Sequence, residues 1–388
     1  MFEKKMLKNL DWLFLALLVL LLGTSLFVLA SASGNVVDGR PYYFVQRQAV
    51  WLLLGIIVAA AASWFNYRDL ERFVKPGYAL ILLLLVLVLF VTPRNGADAS
   101  RWFYIGSFSF QPSELGKLVV IVALAAYLAQ NQHRIREWRV FFGALVLTCV
   151  PMLLVMAEPD LGTALVFGFI MVAMLWLGGI PRRRVLVLLL IVALLVGVVF
   201  IDLWFATDGF THLAEELPFP LPLRTYQLNR LIIFVNPEMD PTHTGYQIIQ
   251  SKVAIGSGGL IGKGYGEGSQ VQNNFLPTHH TDFIFAVVGE ELGFVGAIIV
   301  LALYLLLLLC AMRIAMRAAD MFGSLIVSGI VAMLLFQIFT NIGMTVGLMP
   351  VTGITLPFFS YGGTSLLINM LAVGMILSVN IRSNVKLF

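Results

Sequence analysis

Charge is what this chain has least of. Only 12% of its 388 residues are Asp, Glu, Lys or Arg, against 60% hydrophobic, and mean hydropathy is +0.92. Soluble chains are roughly half apolar and a quarter charged, so a soluble globular domain is excluded. Cysteine is nearly absent: Cys149 and Cys310 both lie in apolar runs, which rules out a disulfide framework or a cysteine metal quartet and leaves packing as their role. A nucleotide-binding Walker loop is missing, because Gly262-Lys263 is followed by Gly264 instead of Ser or Thr. There is no HExxH pair either. His243, His279 and His280 with Asp240 are poorly spaced for one ion, so no metal held by the protein is expected. No convincing internal repeat is present, which weighs against an inverted-repeat transporter. The net charge of +4 gives no reason to expect a nucleic-acid partner.

What the chain does have is long apolar runs. At about 20 residues per crossing, hydropathy places spans near 12–32, 48–65, 78–92, 112–130, 140–157, 161–179, 185–205, 283–310, 323–349 and 361–381. The fold expected is therefore an all-α polytopic membrane protein of about ten transmembrane helices, one integral domain over 1–388. The run Leu13 to Ala30 exceeds the 7–15 residues of a signal-peptide core and reads as a retained first span. Lys and Arg set the orientation. One set of short loops holds sixteen of them, from Lys4 to Lys386; the opposite loops hold eight, with Lys117 inside span four. Both termini are accordingly expected in the cytoplasm, and the large loop of about 206–282 outside. A loop that long is expected to be structured and functional, with a short interfacial helix between Arg224 and Pro237. Segment 93–111 reads as a folded loop or short hairpin.

The outward level gathers the ionisable groups. Asp282 sits where the large loop re-enters the membrane, before Phe283-Ile284-Phe285-Ala286. It reads equally as a helix N-cap and as a general base whose partial burial raises its pKa. Glu290 and Glu291, if the helix is continuous, lie about 12–13 Å deeper and must face a cavity or a partner. Glu114 and Lys117 share a helix face at i,i+3 after Pro112 and could pair. Asp160, in Glu158-Pro159-Asp160-Leu161-Gly162, fits a turn, yet Glu114, Lys117, Asp160 and Asp282 all fall at one depth, which points to a polar cavity. Arg101, Arg224, Arg230, Lys252 and Lys263 are outward cations suited to a phosphate, and Lys263 has glycine amides beside it. Trp102 is an interface anchor or a stacking surface for a sugar. Pro350 and Pro357 forbid a continuous helix through Asn341–Ser365, so a span, a re-entrant turn and a new helix from near Ser360 are expected. Such backbone must be buried in protein or line a cavity.

Several long motifs, in order, resemble the SEDS (shape, elongation, division and sporulation) family: RWFYIGSFSFQPSELGK at 101–117, EPDLGTAL at 158–165, GYQIIQSKVAIGSGGLIGKG at 245–264, FLPTHHTDFIFAVVGEELGFVG at 275–296 and NIGMTVGLMPVTGITLPFFSYGGTS at 341–365. NPEMDP at 236–241, Gln270 and FLP at 275–277 are more similar to its rod-shape branch than to its division branch. Thr278 departs from the Glu expected there in many members. The resemblance implies ten transmembrane helices in the bacterial cell membrane and polymerisation of lipid II into β-1,4 glycan strands for elongation and shape, by an inverting glycosyltransferase with its active site outside. It implies Asp282 as the essential acid. Trp102, Glu114, Lys117 and Asp160 match the family's functional or cavity positions, and Arg101, Lys252, Lys263, Thr281 and Ser360 complete the expected substrate-binding set. A class B penicillin-binding protein and other elongation-complex membrane proteins are the implied partners. No cofactor is firmly expected beyond a divalent cation, Mg or Mn, that could accompany the substrate pyrophosphate. The rival readings are a lipid II flippase, which should carry polar groups through the inner half of the membrane, where this chain has almost none, and a non-catalytic scaffold, which leaves the outward carboxylates unexplained.

Overall fold

The structure, a computed structural model, describes residues 10–33, 42–91, 101–105, 108–207, 209 and 225–383. Lys4, Lys5, Lys8, Arg40, Arg94, Arg224, Lys386 and the prolines at 218, 220 and 222 lie outside the described residues.

The chain is a multi-pass helical membrane protein. Its first helices are α1 (Trp12–Ala32), α2 (Tyr43–Trp64) and α3 (Leu70–Val88), followed by a two-stranded antiparallel hairpin, β1 (Phe103–Ile105) with β2 (Phe108–Phe110), in which Phe103 pairs with Phe110. Then come α4 (Pro112–Gln130), α5 (Trp138–Ala157), α6 (Leu161–Leu177) and α7 (Arg182–Ala206). The large loop contributes α8 (Thr225–Val235), α9 (Thr244–Gly258) and the one-turn α10 (Ser269–Gln272). The chain re-enters through α11 (Ile284–Glu291) and α12 (Gly293–Met316), and closes with α13 (Met321–Val346) and α14 (Gly363–Arg382).

Eight of these helices are long and apolar enough to cross a membrane. The remaining two expected spans are α6, apolar but 17 residues long, and α3. The third span begins at Leu70 instead of 78, because its charged first turns with Glu71 and Lys75 are helical although hydropathy cannot register them. The core sits around α13 and α14, whose apolar windows are 78% and 83% buried, whereas that of α7 is 6% buried and faces lipid along nearly its whole length. A helix apolar all round can take either position in a bilayer, so hydropathy alone does not rank them.

One span differs from expectation in kind. The stretch 283–310 is not one helix: it breaks at Leu292, and Gly293 takes φ +65° in the left-handed region. The glycine loop after α9 causes the break by taking over the helix's hydrogen bonds. The amides of Lys263 and Gly264 donate to the carbonyls of Glu290 and Glu291 (3.0 and 3.1 Å), and those of Phe294 and Val295 donate back to Gly259 and Leu260 (2.9 and 3.1 Å). Glu290 and Glu291 thus end a two-turn helix inside protein, ahead of the break, and meet the glycine loop as their partner.

The second irregular wall is Gly347 to Gly362. Gly347 closes α13 at φ +77°, a left-handed cap open to glycine at no steric cost. The segment carries no helix of its own before α14, and neighbouring side chains satisfy its backbone: Asn341 Nδ2 donates to Ile354 O (2.7 Å), Tyr304 OH to Pro357 O (2.6 Å), Ser25 Oγ to Phe359 O (2.9 Å) and Gln48 Nε2 to Ser360 O (3.2 Å). Non-helical backbone at membrane depth is tolerated on these terms.

Candidate active site

The Gly347–Gly362 segment, with Thr281 and Asp282, the hairpin and the first turns of α2, α4 and α6, lines a cleft of about 930 Å³. Asp282 lies on its wall, and its backbone is held unusually firmly. Three consecutive carbonyls are pinned in turn: that of His280 by the Tyr361 amide (3.0 Å), that of Thr281 by Ser360 Oγ (2.6 Å) and that of Asp282 by Asn341 Nδ2 (2.9 Å). One step earlier, the buried ring of His279 fits between the carbonyls of Leu276 (2.6 Å) and Ala32 (3.0 Å). The carboxylate itself is not spent on the helix: Phe283 is the N-cap of α11, and no side chain caps it. Of the two sequence readings for Asp282, the cap is therefore absent. Gly353, at φ +74°, brings bare backbone against the carboxylate; a Cβ there would stand 3.8 Å from Oδ2.

Burial pushes the Asp282 carboxyl up to about 6, against the opposing pull of the Arg230 guanidinium and a hydrogen bond from the Thr281 side chain. Arg230 reaches the cleft from α8 and donates through Nη1 to Val351 O at 2.9 Å, tying the loop helix to the Gly347–Gly362 wall.

The opposite wall is polar. Pro112 occupies the first turn of α4, where its missing amide is harmless, and this starts the helix so that Glu114 and Lys117 face the cleft. They pair at 2.7 Å with Lys117 only 1% exposed, and one Glu114 oxygen is left without a partner. Asp160 is at once cap and cleft residue: Oδ1 accepts from the Thr163 amide (3.0 Å) and starts α6, while Oδ2 accepts from Thr163 Oγ1 (2.9 Å) and Gln111 Nε2 (3.1 Å). Arg101 lines the cleft beside Trp102 and clamps the α5–α6 turn, donating to the carbonyls of Glu158 (3.2 Å) and Pro159 (2.6 Å). Glu158 is buried beneath, and burial with the neighbouring Asp160 pushes it up to about 9 in spite of Arg101.

Arg101, Trp102, Glu114, Lys117, Asp160, Thr281 and Asp282 are thus gathered around one space. Three expected substrate contacts are not. Lys263 Nζ is held by Glu290 Oε1 (2.6 Å) and Ser269 Oγ (2.7 Å), away from the cleft, because the glycine loop folds back on α11 and not toward substrate. Lys252 is exposed and lies across Gly347, where a Cβ would meet its Cε. Ser360 is buried under Thr281 and positions that turn without lining the space. Arg230, read from sequence as a cation suited to a phosphate, also lines it, and so do Gln46, Arg47 and Trp51 of α2 and Gln337 of α13, to which the sequence assigned no role in the site. Gln337 carried a signal, a polar side chain in the middle of an apolar span; Trp51 carried none. Among the described residues no group of three or more His, Cys, Asp and Glu could hold a metal ion.

A helical membrane protein with an acid-and-cation cleft at the ends of its helices is the class defined by these features. The family profile described as "Cell cycle protein" (FTSW_RODA_SPOVE) matches residues 10–385, and the chain belongs to that family. It is 39% identical to a probable peptidoglycan glycosyltransferase FtsW of Geobacter metallireducens over 88% of this chain and 86% of that one. It is 36% identical to the peptidoglycan glycosyltransferase RodA of Treponema pallidum over 96% of this chain and 98% of that one, and 36% to MrdB of Escherichia coli over 96% and 94%. Two solved structures are similar: one from a study of the structural coordination of polymerization and crosslinking by a peptidoglycan synthase complex (TM-score 0.78, 33% identity, 97% and 99% of the two chains), and the rod-shape-determining protein RodA of Thermus thermophilus (TM-score 0.68, 31%, 97% and 98%).

Proposed function

We propose that this chain, a peptidoglycan glycosyltransferase like its relatives, polymerises lipid II at the cleft around Asp282, outside the cell membrane, with both termini in the cytoplasm. The observation that carries the reading is a carboxylate raised to about 6, free of helix capping and facing a polar cleft. Asp282 takes the proton from the GlcNAc 4-hydroxyl of one lipid-linked disaccharide. That oxygen attacks C1 of the MurNAc on the growing lipid-linked chain from the face opposite the pyrophosphate, so the α-linked donor becomes a β-1,4 bond and undecaprenyl pyrophosphate departs. Arg230, Arg101 and Lys117 supply positive charge in the same space, where a developing pyrophosphate charge is stabilised most by fixed donors. Any Mg or Mn ion would be held mainly by the substrate's own phosphates, with Glu114, Asp160 and Asp282 the carboxylates at hand.

The relatives carry both division and rod-shape names at similar identity; the elongation role rests on NPEMDP, Gln270 and FLP at 275–277. The partner proposed is a class B penicillin-binding protein that cross-links the product, within an elongation complex of further membrane proteins.

The test is purified protein with labelled lipid II, with and without that partner, scored for glycan polymer. Polymer from the wild type and its loss in Asp282→Ala are expected; polymerisation at the wild-type rate by Asp282→Ala would sink the base assignment. Lipid II crossing a bilayer without polymer would favour the flippase.

A further inference from the structure

The ends of the bundle remote from the cleft carry a basic corner that the reaction does not use. The α4–α5 and α6–α7 turns, with the first residues of α5 and α7, hold Arg134, Arg136, Arg139, Arg182, Arg183 and Arg184. Across 131–139 and 178–184 the single carboxylate is Glu137. All but Arg184 are exposed.

The two turns form one surface. Arg184 Nη2 donates to Arg136 O at 2.6 Å, and its guanidinium lies 4.0 Å from the centroid of Trp138. Its Nη1 is buried with no hydrogen-bond partner, an unmade bond of a charged donor. Arg182 lies 5.5 Å over Trp176. Trp138 and Trp176 are themselves exposed, at 57% and 42%, as ring systems at a membrane–water boundary are. Neither α5 nor α7 has an acidic residue in its first turn, so the cations add to positive helix ends with almost no anion to oppose them.

We propose that this corner binds the headgroup of an anionic phospholipid, its phosphate on the guanidinium forks of Arg136, Arg182 and Arg183, with Arg184 joining the two turns beneath, and its acyl chains along α7. Guanidinium groups match phosphate oxygens in pairs, and basic pockets between helices at the cytoplasmic surface take acidic lipid headgroups. The apolar half of the site is also present: Leu186, Leu189 and Leu190, in the turns of α7 next to the arginines, are exposed. A free anion would use only the first half. If the arginines did no more than fix membrane orientation, the corner would not distinguish one lipid from another.

The full chain in detergent, titrated with dioleoyl phosphatidylglycerol, dioleoyl phosphatidylcholine or sodium phosphate, is read by native mass spectrometry and by thermal midpoint. At roughly 1 kcal/mol per cation near an anionic headgroup, the phosphatidylglycerol adduct should survive at least about tenfold better than the phosphatidylcholine adduct. Arg182→Gln/Arg183→Gln/Arg184→Gln should abolish that preference, and the matching triple Lys variant should keep most of it. Should the triple Gln variant not insert, Arg136→Gln and Arg183→Gln singly should each lower retention severalfold. Equal retention of the two lipids by the wild type, full protection by sodium phosphate alone, no loss in the Gln variants, or an equal loss in Arg317→Gln at another turn of the same end would overturn the proposal.

Discussion

The two ends of α11 carry acids of opposite kinds. At its entrance Asp282 faces the cleft, its carboxylate uncommitted to the helix and Arg230, the cation that favours its ionised form, engaged with a backbone carbonyl. At its exit, two turns on, Glu290 is wholly buried, accepts from Lys263, Ser269 and the Gln270 amide, and serves to fasten the glycine loop. Both are acids beside the ends of one short apolar helix. What separates them is where their bonds go: a carboxylate whose partners are all protein is fastened, and one that opens on a cavity is available.

The comparison can be broken most forcefully at its functional end. Asp282→Asn keeps the shape and removes the base, so polymer formation should fall about 10²–10⁴-fold. The thermal midpoint should not fall with it. Burial makes the folded state bind this proton more tightly than the unfolded chain does, so the ionised form loses stability as pH rises from the usual carboxylate range through about 6. Unfolding at pH 5 and pH 8 checks the sign.

At the fastened end the outcome should invert. Lys263→Met leaves Glu290 buried without its cation, and removal of one partner of such a pair should cost about 3 kcal/mol of stability, while the folded fraction keeps its turnover. A loss of turnover with unchanged stability would mean that Lys263 touches substrate after all.

The pH profile sharpens the picture further. A base must be ionised, so the rate should climb as pH rises through about 6 and then level. Arg230 favours the ionised form, and Arg230→Gln should move that acid limb to higher pH; an unmoved limb would remove Asp282 as the titrating group. The smallest effect belongs to Ser360→Ala, which deletes the hydroxyl between Thr281 O and the Leu356 amide and should lower stability by about 1–3 kcal/mol. A kcat loss larger than the change in KM would be its signature as a positioning residue.

Much of this arrangement was legible in the chain. Apolar runs located the long helices to within a few residues, except where α3 opens with charged turns and where the stretch 283–310 breaks into α11 and α12. Pro112 and Asp160 each mark a helix start that orients cleft residues, a local rule readable from local sequence. Pro350, Gly353 and Pro357 announced a non-helical wall. Lys252 and Lys263 satisfy the same local description as Arg101 and Arg230, a cation between spans, so sequence alone does not separate the two that line the cleft from the two that do not. The break at Leu292 was invisible for a similar reason: its cause is the backbone of residues 259–264, about thirty positions away, bonding to 290–295.

By itself, then, the sequence determined that the chain lives in a membrane, how often it crosses, and which short stretches are too polar or too rich in proline and glycine to be lipid-facing helix. These follow from solvation, which acts on each segment separately. The tertiary structure alone decided which of the charges near the span ends face the cleft and which are neutralised, because a charge's availability depends on the few ångströms to its partner, and those are set by how distant segments pack.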